Sequence, residues 1–350
     1  MIMTNPLPLA ATRTEALTRL QRFVPLAGRD YSARRNFDRP DQGHGHVSML
    51  SPYIRHRLIT ESEVLEAVLA RHSPGAAEKF VQEVFWRSYW KGWLELRPTV
   101  WGDYRAGLDR VLADPAWAAP LARAEAGQTG IECFDAWMAE LATTGYLHNH
   151  ARMWAASIWI FTLGLPWEAG ADLFMRHLLD GDPASNTLSW RWVAGLQTQG
   201  KHYVATAENI ARYTEGRFAP KGLATDPVPL SGPPHPARRP LPADARPRPG
   251  GVTAILLTEE DLSPGFLFDD PAVNVTAHAC LLSAKARSPR PVAEPVLRFT
   301  QAAMEDTSAR WSPRMGQPGP LTDDPARIAE WARNLGLDQI VTAYAPTGPA

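Results

Sequence analysis

The sequence predicts a mainly α-helical protein with two folded parts, a large helical domain over residues 1–218 and a small α/β domain over residues 252–350. Three observations support this. Apolar residues follow helical spacing through most of the first part. Proline recurs every few residues from Ala219 to Gly251, where regular structure cannot propagate, so residues 219–251 are expected to form an exposed, semi-rigid linker. Short apolar runs typical of buried strands follow the linker.

Helical signals recur along the first part. The segment TRTEALTRLQRFV repeats apolar residues every third position. Thr60 and Glu63 have the spacing of a capping box, which predicts the start of a helix. In EKFVQEVFWRSYWKGWLEL, the residues Trp86, Trp90 and Trp93 stand at i, i+4 and i+7, so they form one stripe on a helix.

The pattern changes after the linker. VTAILLT and ACLLSA have the length and apolar content of short buried strands. DPARIAEWARNLGLDQIVTAYAP predicts a helix, a turn at Gly336 and a further strand. Residues 252–350 are therefore expected to form a small α/β domain.

Composition excludes several classes of protein. The formal net charge is −1 over 350 residues, which neither supports nor excludes binding to DNA. Cys133 and Cys280 are the two cysteines, too few for a disulfide framework, a cysteine-only zinc site or a four-cysteine iron–sulfur cluster. The N-terminus lacks the pattern of an export signal, and no apolar run reaches the ~18 residues of a membrane span. We expect a cytoplasmic protein with no membrane partner.

The tryptophans are concentrated in one region, because eleven of the thirteen lie between Trp86 and Trp192. A single tryptophan usually fills a core. A cluster of this density favours a stacking role, against a flat heterocycle, against extruded nucleobases, or among rings that carry electrons.

Two motifs place polar groups beside these rings. In VSMLSPY, Ser48 and Ser51 offer hydroxyl and N–H groups where a helix begins, which is either an anion site or an ordinary cap. Glu83, Trp86 and Arg87 stand at i, i+3 and i+4, so they share one helix face. Alone, they are equally typical of a solvated ion pair beside a core ring.

The segment HNHARM places Asn149, Arg152 and Met153 on one helix face in the same way. Its two histidines suggest a metal-dependent nuclease, but the ββα setting and further ligands of that motif are missing. His44 and His46 in GHGH are interpreted as loop residues, since no acid stands at ligand spacing from them. No metal site is expected.

Several blocks together carry a family resemblance. The segment from Asp135 to Gly195, which includes LLDGDPASNTLSWRWVAG, resembles the flavin-binding helical domain of the DNA photolyase/cryptochrome family without a gap. EVFWRSYW is similar to the Glu-x-x-Trp-Arg-x-x-Tyr helix of that family, and DYSARRNFDRPDQGHGHVSMLSPYIRHRLIT is similar to its flavin-phosphate region. The resemblance covers about Thr14 to Phe218, and it implies that residues 1–218 form a photolyase-like, all-helical FAD-binding domain.

The resemblance implies a set of residues that hold the cofactor, FAD. The phosphates and ribose would be held by Tyr31, Ser48, Met49, Leu50 and Ser51, with Arg87 toward the phosphates. The flavin ring would be contacted by Arg152 paired with Asp180, by Asp182 at the ring edge, and by Asn186 facing N5, where a neutral amide favours reduced flavin.

The resemblance also implies how electrons and substrate approach the flavin. Trp190 would be the electron donor nearest to the flavin, and Trp167 the next relay. The third relay tryptophan of the family would align near Asp114, so the outer hop would use another ring, such as Trp117 or Trp154, or be missing.

The residues that would contact a DNA lesion are Glu83, Trp86, Asn149, Met153 and Trp192. Glu83 would hydrogen-bond the damaged pyrimidine pair, with Trp86 and Trp192 as walls. Asn149 and Met153 favour the members that repair cyclobutane dimers over those that repair (6-4) lesions.

The implied function is light-dependent repair of cyclobutane pyrimidine dimers in DNA by electron transfer from excited reduced FAD, the activity of a carbon–carbon lyase. The alternative is a cryptochrome-like blue-light receptor that binds FAD and signals through a partner. A non-photochemical FAD oxidoreductase is the third possibility. The family's N-terminal α/β antenna domain is missing ahead of the flavin domain, and residues 252–350 resemble parts of it. We expect a relocated or truncated antenna-like domain there, with a second chromophore left open.

Overall fold

The computed structural model describes residues 9–243, 245–269 and 273–350, and it has helices up to Tyr213 followed by a parallel sheet. The first eight residues lie outside the described residues. They belong to the N-terminal segment in which the sequence predicts no export signal. Among the helices that are described, none is both long and apolar enough to cross a membrane. The mainly helical fold class predicted from the sequence is confirmed.

The first part of the described chain contains twelve α-helices. Their bounds are α1 Arg13–Phe23, α2 Arg29–Arg34, α3 Ser51–Arg55, α4 Glu61–Leu69, α5 Pro74–Glu95, α6 Thr99–Ala113, α7 Ala118–Glu125, α8 Glu132–Thr144, α9 Asn149–Ser157, α10 Trp167–His177, α11 Pro183–Ala194 and α12 Ala207–Tyr213. A π-helical turn continues α9 over Ile158–Thr162.

Local chemistry explains where the important helices begin and pack. The capping box predicted at Thr60 and Glu63 is present at the start of α4. The carboxylate of Asp182 caps α11, whose first residue is Pro183. Gly170 on α10 lies directly against the indole of Trp190 on α11, because any Cβ there would overlap the ring. The absence of a side chain at Gly170 therefore lets α10 and α11 approach closely.

The small domain is a four-stranded parallel sheet with two helices. Its elements are β1 Val252–Thr258, β2 Asn274–Leu281, α13 Glu294–Met315, β3 Gln317–Thr322, α14 Pro325–Asn334 and β4 Gln339–Thr342. The strand order is β3-β2-β1-β4. The strand predicted in VTAILLT is confirmed, as are the helix, the turn at Gly336 and the last strand. The strand predicted in ACLLSA lies earlier than expected, because β2 begins at Asn274 and ends at Leu281, within that segment. The α/β character of residues 252–350 is confirmed.

The two parts share a buried core. Apolar side chains of α1 and α3, such as Leu20 and Tyr53, belong to the same cluster as Phe299 and Met304 of α13. The rings of Tyr53 and Phe299 lie 5.9 Å apart. The hydrophobic core of the helical domain therefore extends into the small domain.

The linker of residues 219–251 is largely exposed, as the sequence predicts, and forms no helix or strand among its described residues. It nevertheless runs along the helical domain. The backbone N–H of Leu230 donates to the carbonyl of Ala194 at 2.9 Å, and that of Arg239 donates to Leu96 at 2.8 Å. These bonds fix the path of the linker between the two domains.

Candidate functional site

A buried acidic turn leads into α11. Asp182 is almost fully buried, and its Oδ1 accepts a hydrogen bond of 2.8 Å from the backbone N–H of Ser185. Its Oδ2 lies 3.3 Å from Lys91 Nζ, 3.6 Å from Arg87 Nη2 and 3.8 Å from Arg55 Nε. Burial alone would raise the pKa of Asp182, but the three cations hold it far below its usual range. Asp182 is therefore charged at neutral pH.

The small domain contributes a second carboxylate to this place. Glu260, which follows β1, is buried and forms a bidentate ion pair with Arg55, and its Oε2 lies 3.5 Å from Lys91 Nζ. Burial works to raise the pKa of Glu260, yet Arg55 and Lys91 lower it. Arg55, Arg87, Lys91, Asp182 and Glu260 form what we call the charge cluster, which joins the two domains.

The pair predicted between Arg152 and Asp180 is present. Arg152 Nη2 donates to Asp180 Oδ2 at 2.9 Å, and the guanidinium also donates through Nε to the carbonyl of Leu147. Asn186 is buried, and its Nδ2 donates to the carbonyl of Ala171 at 2.8 Å. Asp180 and Asn186 therefore contact α9 and α10, whereas Asp182, between them in sequence, contacts α3 and α5.

Two buried ring systems surround Trp190. Its own ring contacts among the described residues are Phe174, at 5.1 Å between centroids, and Trp159, at 6.3 Å. Trp167 was predicted to be the relay next to Trp190, but no ring contact of this kind joins the two in the described chain. Trp159 was missed because the family resemblance pointed only to Trp167.

The rings around Trp167 lead outward. Trp167 lies 5.8 Å from Tyr104, which lies 5.2 Å from the half-buried Trp101. Neither Trp117 nor Trp154, the outer rings suggested from the sequence, belongs to this row; Trp154 stacks on Trp137 at 5.4 Å instead. The i, i+3 spacing of Trp101 and Tyr104 on α6 was the signal available in the sequence.

The side chains predicted to contact a lesion keep solvent exposure. Trp86 is 48% exposed and stacks on Trp90 at 5.7 Å. Trp192 is half-buried and stacks on Tyr203 at 5.8 Å. Glu83 is half-buried and paired with Arg35. Trp86 thus presents an open aromatic face.

The two remaining lesion residues lie on α9. Asn149 is exposed and Met153 is half-buried. By contrast, Asp180, Asp182, Asn186, Trp190 and Trp167 are all buried. The two sets of predicted residues therefore differ in burial, and α5 and α9 carry the accessible one.

The predicted phosphate-binding residues differ from one another in burial and in their contacts. Tyr31 is buried between Phe23 and Phe80, and this burial raises the pKa of its hydroxyl. The hydroxyl of Ser48 accepts from the N–H of Leu50 at 3.3 Å, while Met49 between them has a φ of 51°, in the left-handed region. Leu50 is buried and Ser51 is exposed at the start of α3. Arg87 donates through Nε to Glu61 at 3.2 Å.

The donor and acceptor chemistry of this region fits a flavin nucleotide. Asp180 Oδ1 and Asp182 Oδ2 are buried acceptor atoms that have no hydrogen-bond partner. A flavin offers N–H and hydroxyl donors to such atoms, and Arg87 and Lys91 supply positive charge beside Asp182. Trp190 Nε1 is likewise a buried donor with no partner. Asp180, Asp182, Arg87 and Lys91 are the residues that would hold the cofactor.

These features define a helical domain in which buried acids lie close to buried aromatic rings. Residues 80–220 match the family model described as the FAD binding domain of DNA photolyase. This part of the chain is therefore similar to the FAD-binding domain of DNA photolyase, a domain whose cofactor is FAD.

Individual proteins are similar to parts of the chain. The chain is 38% identical over 157 residues to the deoxyribodipyrimidine photo-lyase of Streptomyces griseus, covering 43% of this chain and 33% of that one. It is 31% identical over 226 residues to that of a Synechococcus species, covering 59% and 46%. A class III photolyase structure from Agrobacterium tumefaciens matches with a TM-score of 0.47 and 26% identity, covering 58% and 43%. The chain thus spans a third to a half of the length of these relatives.

A buried histidine next to the site predicts acid sensitivity. His148 caps α9 by accepting from the N–H of His150, and burial, with smaller contributions from His44 and His150, lowers its pKa to about 3. The unfolded chain takes up a proton below about pH 6.5, whereas the folded chain resists it, so stability contributed by neutral His148 is lost as the pH falls from 6.5 toward 3. We expect the free energy of unfolding to fall by about 2 kcal/mol between pH 7 and pH 5 because of His148.

The variant His148→Asn separates this effect from the loss of a cap, since asparagine is itself a good N-cap. Urea unfolding of both proteins at pH 7 and pH 5 should show the smaller pH dependence in the variant. An unchanged pH dependence would mean that His148 is protonated in the folded state.

Proposed function

We propose that this protein repairs cyclobutane pyrimidine dimers in DNA under blue light, using reduced FAD as the electron donor. The observation that carries the proposal is the contrast in burial between the two residue sets. The predicted flavin-ring and electron-transfer residues Asp180, Asp182, Asn186, Trp190 and Trp167 are buried, whereas the predicted lesion residues are exposed, as Trp86 and Asn149 are, or half-buried, as Glu83, Met153 and Trp192 are. A receptor that only transfers electrons internally has no need of the accessible set.

Bound reduced FAD supplies a photoexcited one-electron donor, and the protein supplies position and electrostatics. Asp180, oriented by Arg152, and Asp182 are fixed acceptors for the donor groups of the flavin. Both carboxylates are buried, so the surrounding field is stronger than it would be in water.

Helix α5 connects the flavin end to the substrate. Arg87 reaches Asp182, while Trp86, the preceding residue, points an exposed ring to solvent. Base–aromatic stacking is worth ~1–3 kcal/mol per base, so Trp86 and its neighbour Trp90 form a surface for extruded pyrimidines. A dimer is cheap to extrude because it stacks and pairs poorly.

Glu83 completes this surface one helical turn before Trp86. Its carboxylate is paired with Arg35, which orients it. A carboxylate accepts a hydrogen bond from a pyrimidine N–H, which orients the lesion for electron transfer.

We further propose that residues 252–350 are an antenna-like domain that follows the flavin domain. The parallel sheet supports this, since the absence of a sheet would have contradicted it. The ion pairs of Glu260 with Arg55 and Lys91 support a second role for this domain, the electrostatic stabilisation of the helical domain.

The decisive experiment uses the full chain loaded with FAD and chemically reduced. A thymine-dimer oligonucleotide, single- or double-stranded, is incubated under blue light or in the dark, and the remaining dimer is measured by chromatography. We expect light-dependent loss of the dimer. Bound, photoactive FAD with no dimer loss on either substrate would overturn the proposal in favour of a blue-light receptor.

The variant Glu83→Gln should lower the repair yield about tenfold, because it weakens a hydrogen bond to a charged acceptor. FAD content, measured from the flavin absorbance, should stay unchanged. The matched control is Glu78→Gln on the same helix, an exposed residue that bonds only to Gln82 among the described residues. Loss of flavin from Glu83→Gln would instead place this residue in the cofactor site.

A further inference from the structure

A second cluster of polar side chains lies in the loop before Ser48. Asp38 and His44 belong to this loop, and Glu140 lies on α8. Each of the three offers one potential metal-ligand atom, and these three atoms lie within 4.8 Å of one another. Asp38 and His44 are buried and Glu140 is half-buried. The cluster was not predicted from the sequence, because Glu140 is 96 residues from His44 and reaches it only in the fold.

The hydrogen bonds determine which atoms of His44 are free. His44 Nε2 lies 2.9 Å from Glu140 Oε1, so in the neutral ring Nε2–H donates to Glu140 and Nδ1 keeps its lone pair. Asp38 Oδ1 lies 3.8 Å from His44 Nδ1, and both atoms are buried without a hydrogen-bond partner. Two buried acceptor atoms therefore face each other, and a cation between them would satisfy both.

The rest of Asp38 is already bound. Its Oδ2 accepts from Trp137 Nε1 at 3.0 Å and from Arg217. This fixes the carboxylate so that Oδ1 faces His44. Arg217 compensates one of the two negative charges of Asp38 and Glu140, which leaves one for a bound cation to compensate.

We propose that Asp38 Oδ1 and His44 Nδ1 bind a divalent transition-metal ion, with Zn²⁺ as the best match for an imidazole and a carboxylate. Water completes the coordination. Glu140 is a positioning residue, since a carboxylate that accepts from the remote nitrogen of a histidine ligand orients the ring and raises its basicity.

A metal here would act on the loop that precedes the proposed phosphate-binding turn. His44 has a φ of 53°, a left-handed conformation that is uncommon for residues with side chains. Ser48 follows four residues later. A metal that ties His44 to Asp38 would hold this strained backbone in place and order the loop, whether or not flavin is bound.

The test uses the full chain, treated with a chelator and titrated with Zn²⁺ alone by calorimetry. We expect one Zn²⁺ per chain. His44→Asn should weaken the affinity at least about 100-fold, and asparagine is chosen because it tolerates the left-handed backbone. Glu140→Gln should weaken it about tenfold while keeping a hydrogen bond to the ring.

The matched control is His46→Asn, two residues further along the same loop, whose ring contacts Arg39 instead of the cluster. It should bind Zn²⁺ like the parent chain. If His44→Asn fails to fold by circular dichroism, Glu140→Gln decides the question. Equal binding by the parent and by Glu140→Gln, or no binding at all with His44 protonated on both nitrogens by NMR, would overturn the proposal. Neither result bears on DNA repair, since no flavin or light is involved.

Discussion

Replacing Asp182 with asparagine is expected to lower the free energy of unfolding by about 3 kcal/mol, because it removes one carboxylate from a buried group of charges. Asparagine keeps the cap of α11, since its amide oxygen also accepts from the N–H of Ser185. The change therefore removes charge and little else. Arg55, fully buried, and Arg87 and Lys91, partly buried, would be left with Glu260 as the carboxylate of the cluster.

Urea unfolding at pH 7 measures this effect, and Asp180→Asn is the matched comparison. The partner of Asp180, Arg152, is more exposed than Arg55, so its charge is solvated when the pair is broken and the loss should be clearly smaller. Equal losses in the two variants would mean that Glu260 alone neutralises the charge cluster.

The lowered pKa of Asp182 also predicts how the free energy of unfolding changes in acid. The pKa of Asp182 is lowered in the folded chain, so its stabilising contribution is complete above the unfolded value of about 3.9 and is lost as the pH falls below it. Asp182→Asn should therefore flatten the unfolding profile below pH 4. This window lies below the one in which His148 acts.

Much of the fold was predictable where neighbours in sequence determine the structure. The capping box at Thr60 needs only Glu63, three residues away. The strand Val252–Thr258 is recognisable from its apolar run, and the pairing of Arg152 with Asp180 followed from a family resemblance spanning both residues. Caps and strands are predictable from local spacing, and an ion pair between more distant residues is predictable where a family resemblance spans both of them.

Contacts between distant segments were not predictable. Arg55 and Glu260 are 205 residues apart, and His44 and Glu140 are 96 apart, so no spacing rule relates them. Strand β3 was missed because Pro318 and Pro320 argue against a strand, and it is tolerated at the edge of the sheet, where a missing N–H leaves no ladder bond broken. These features depend on the tertiary fold, which cannot be predicted from the local spacing of residues in a single sequence.

The charge cluster links the small domain to the helical domain through shared ion pairs. Glu260 shares Arg55 and Lys91 with Asp182, so the domain after the linker compensates cations beside the proposed flavin ring edge. A chain cut before Val252 would leave Arg55 buried with one acid fewer. Deleting the small domain is therefore expected to impair the helical domain itself.

Replacing Trp190 with phenylalanine is expected to abolish photoreduction of oxidised flavin while leaving FAD bound. Trp190 is buried, lies against Gly170, and is the proposed first electron donor. Phenylalanine preserves an aromatic ring in the space, at a cost of about 1–2 kcal/mol for the smaller volume, but it is far harder to oxidise than an indole. The measurement is the rate of flavin bleaching under blue light with an external reductant.

The outer part of the electron path can be tested in the same assay. The contacts Trp167 to Tyr104 and Tyr104 to Trp101 form a row from the interior to a half-buried ring, so Trp101→Phe should slow photoreduction. Trp154→Phe is the matched control, because Trp154 stacks in a separate group with Trp137 and His150. If Trp159→Phe slows photoreduction and Trp101→Phe does not, electrons reach Trp190 through its direct neighbour Trp159, and the row through Trp167 serves only to pack the core.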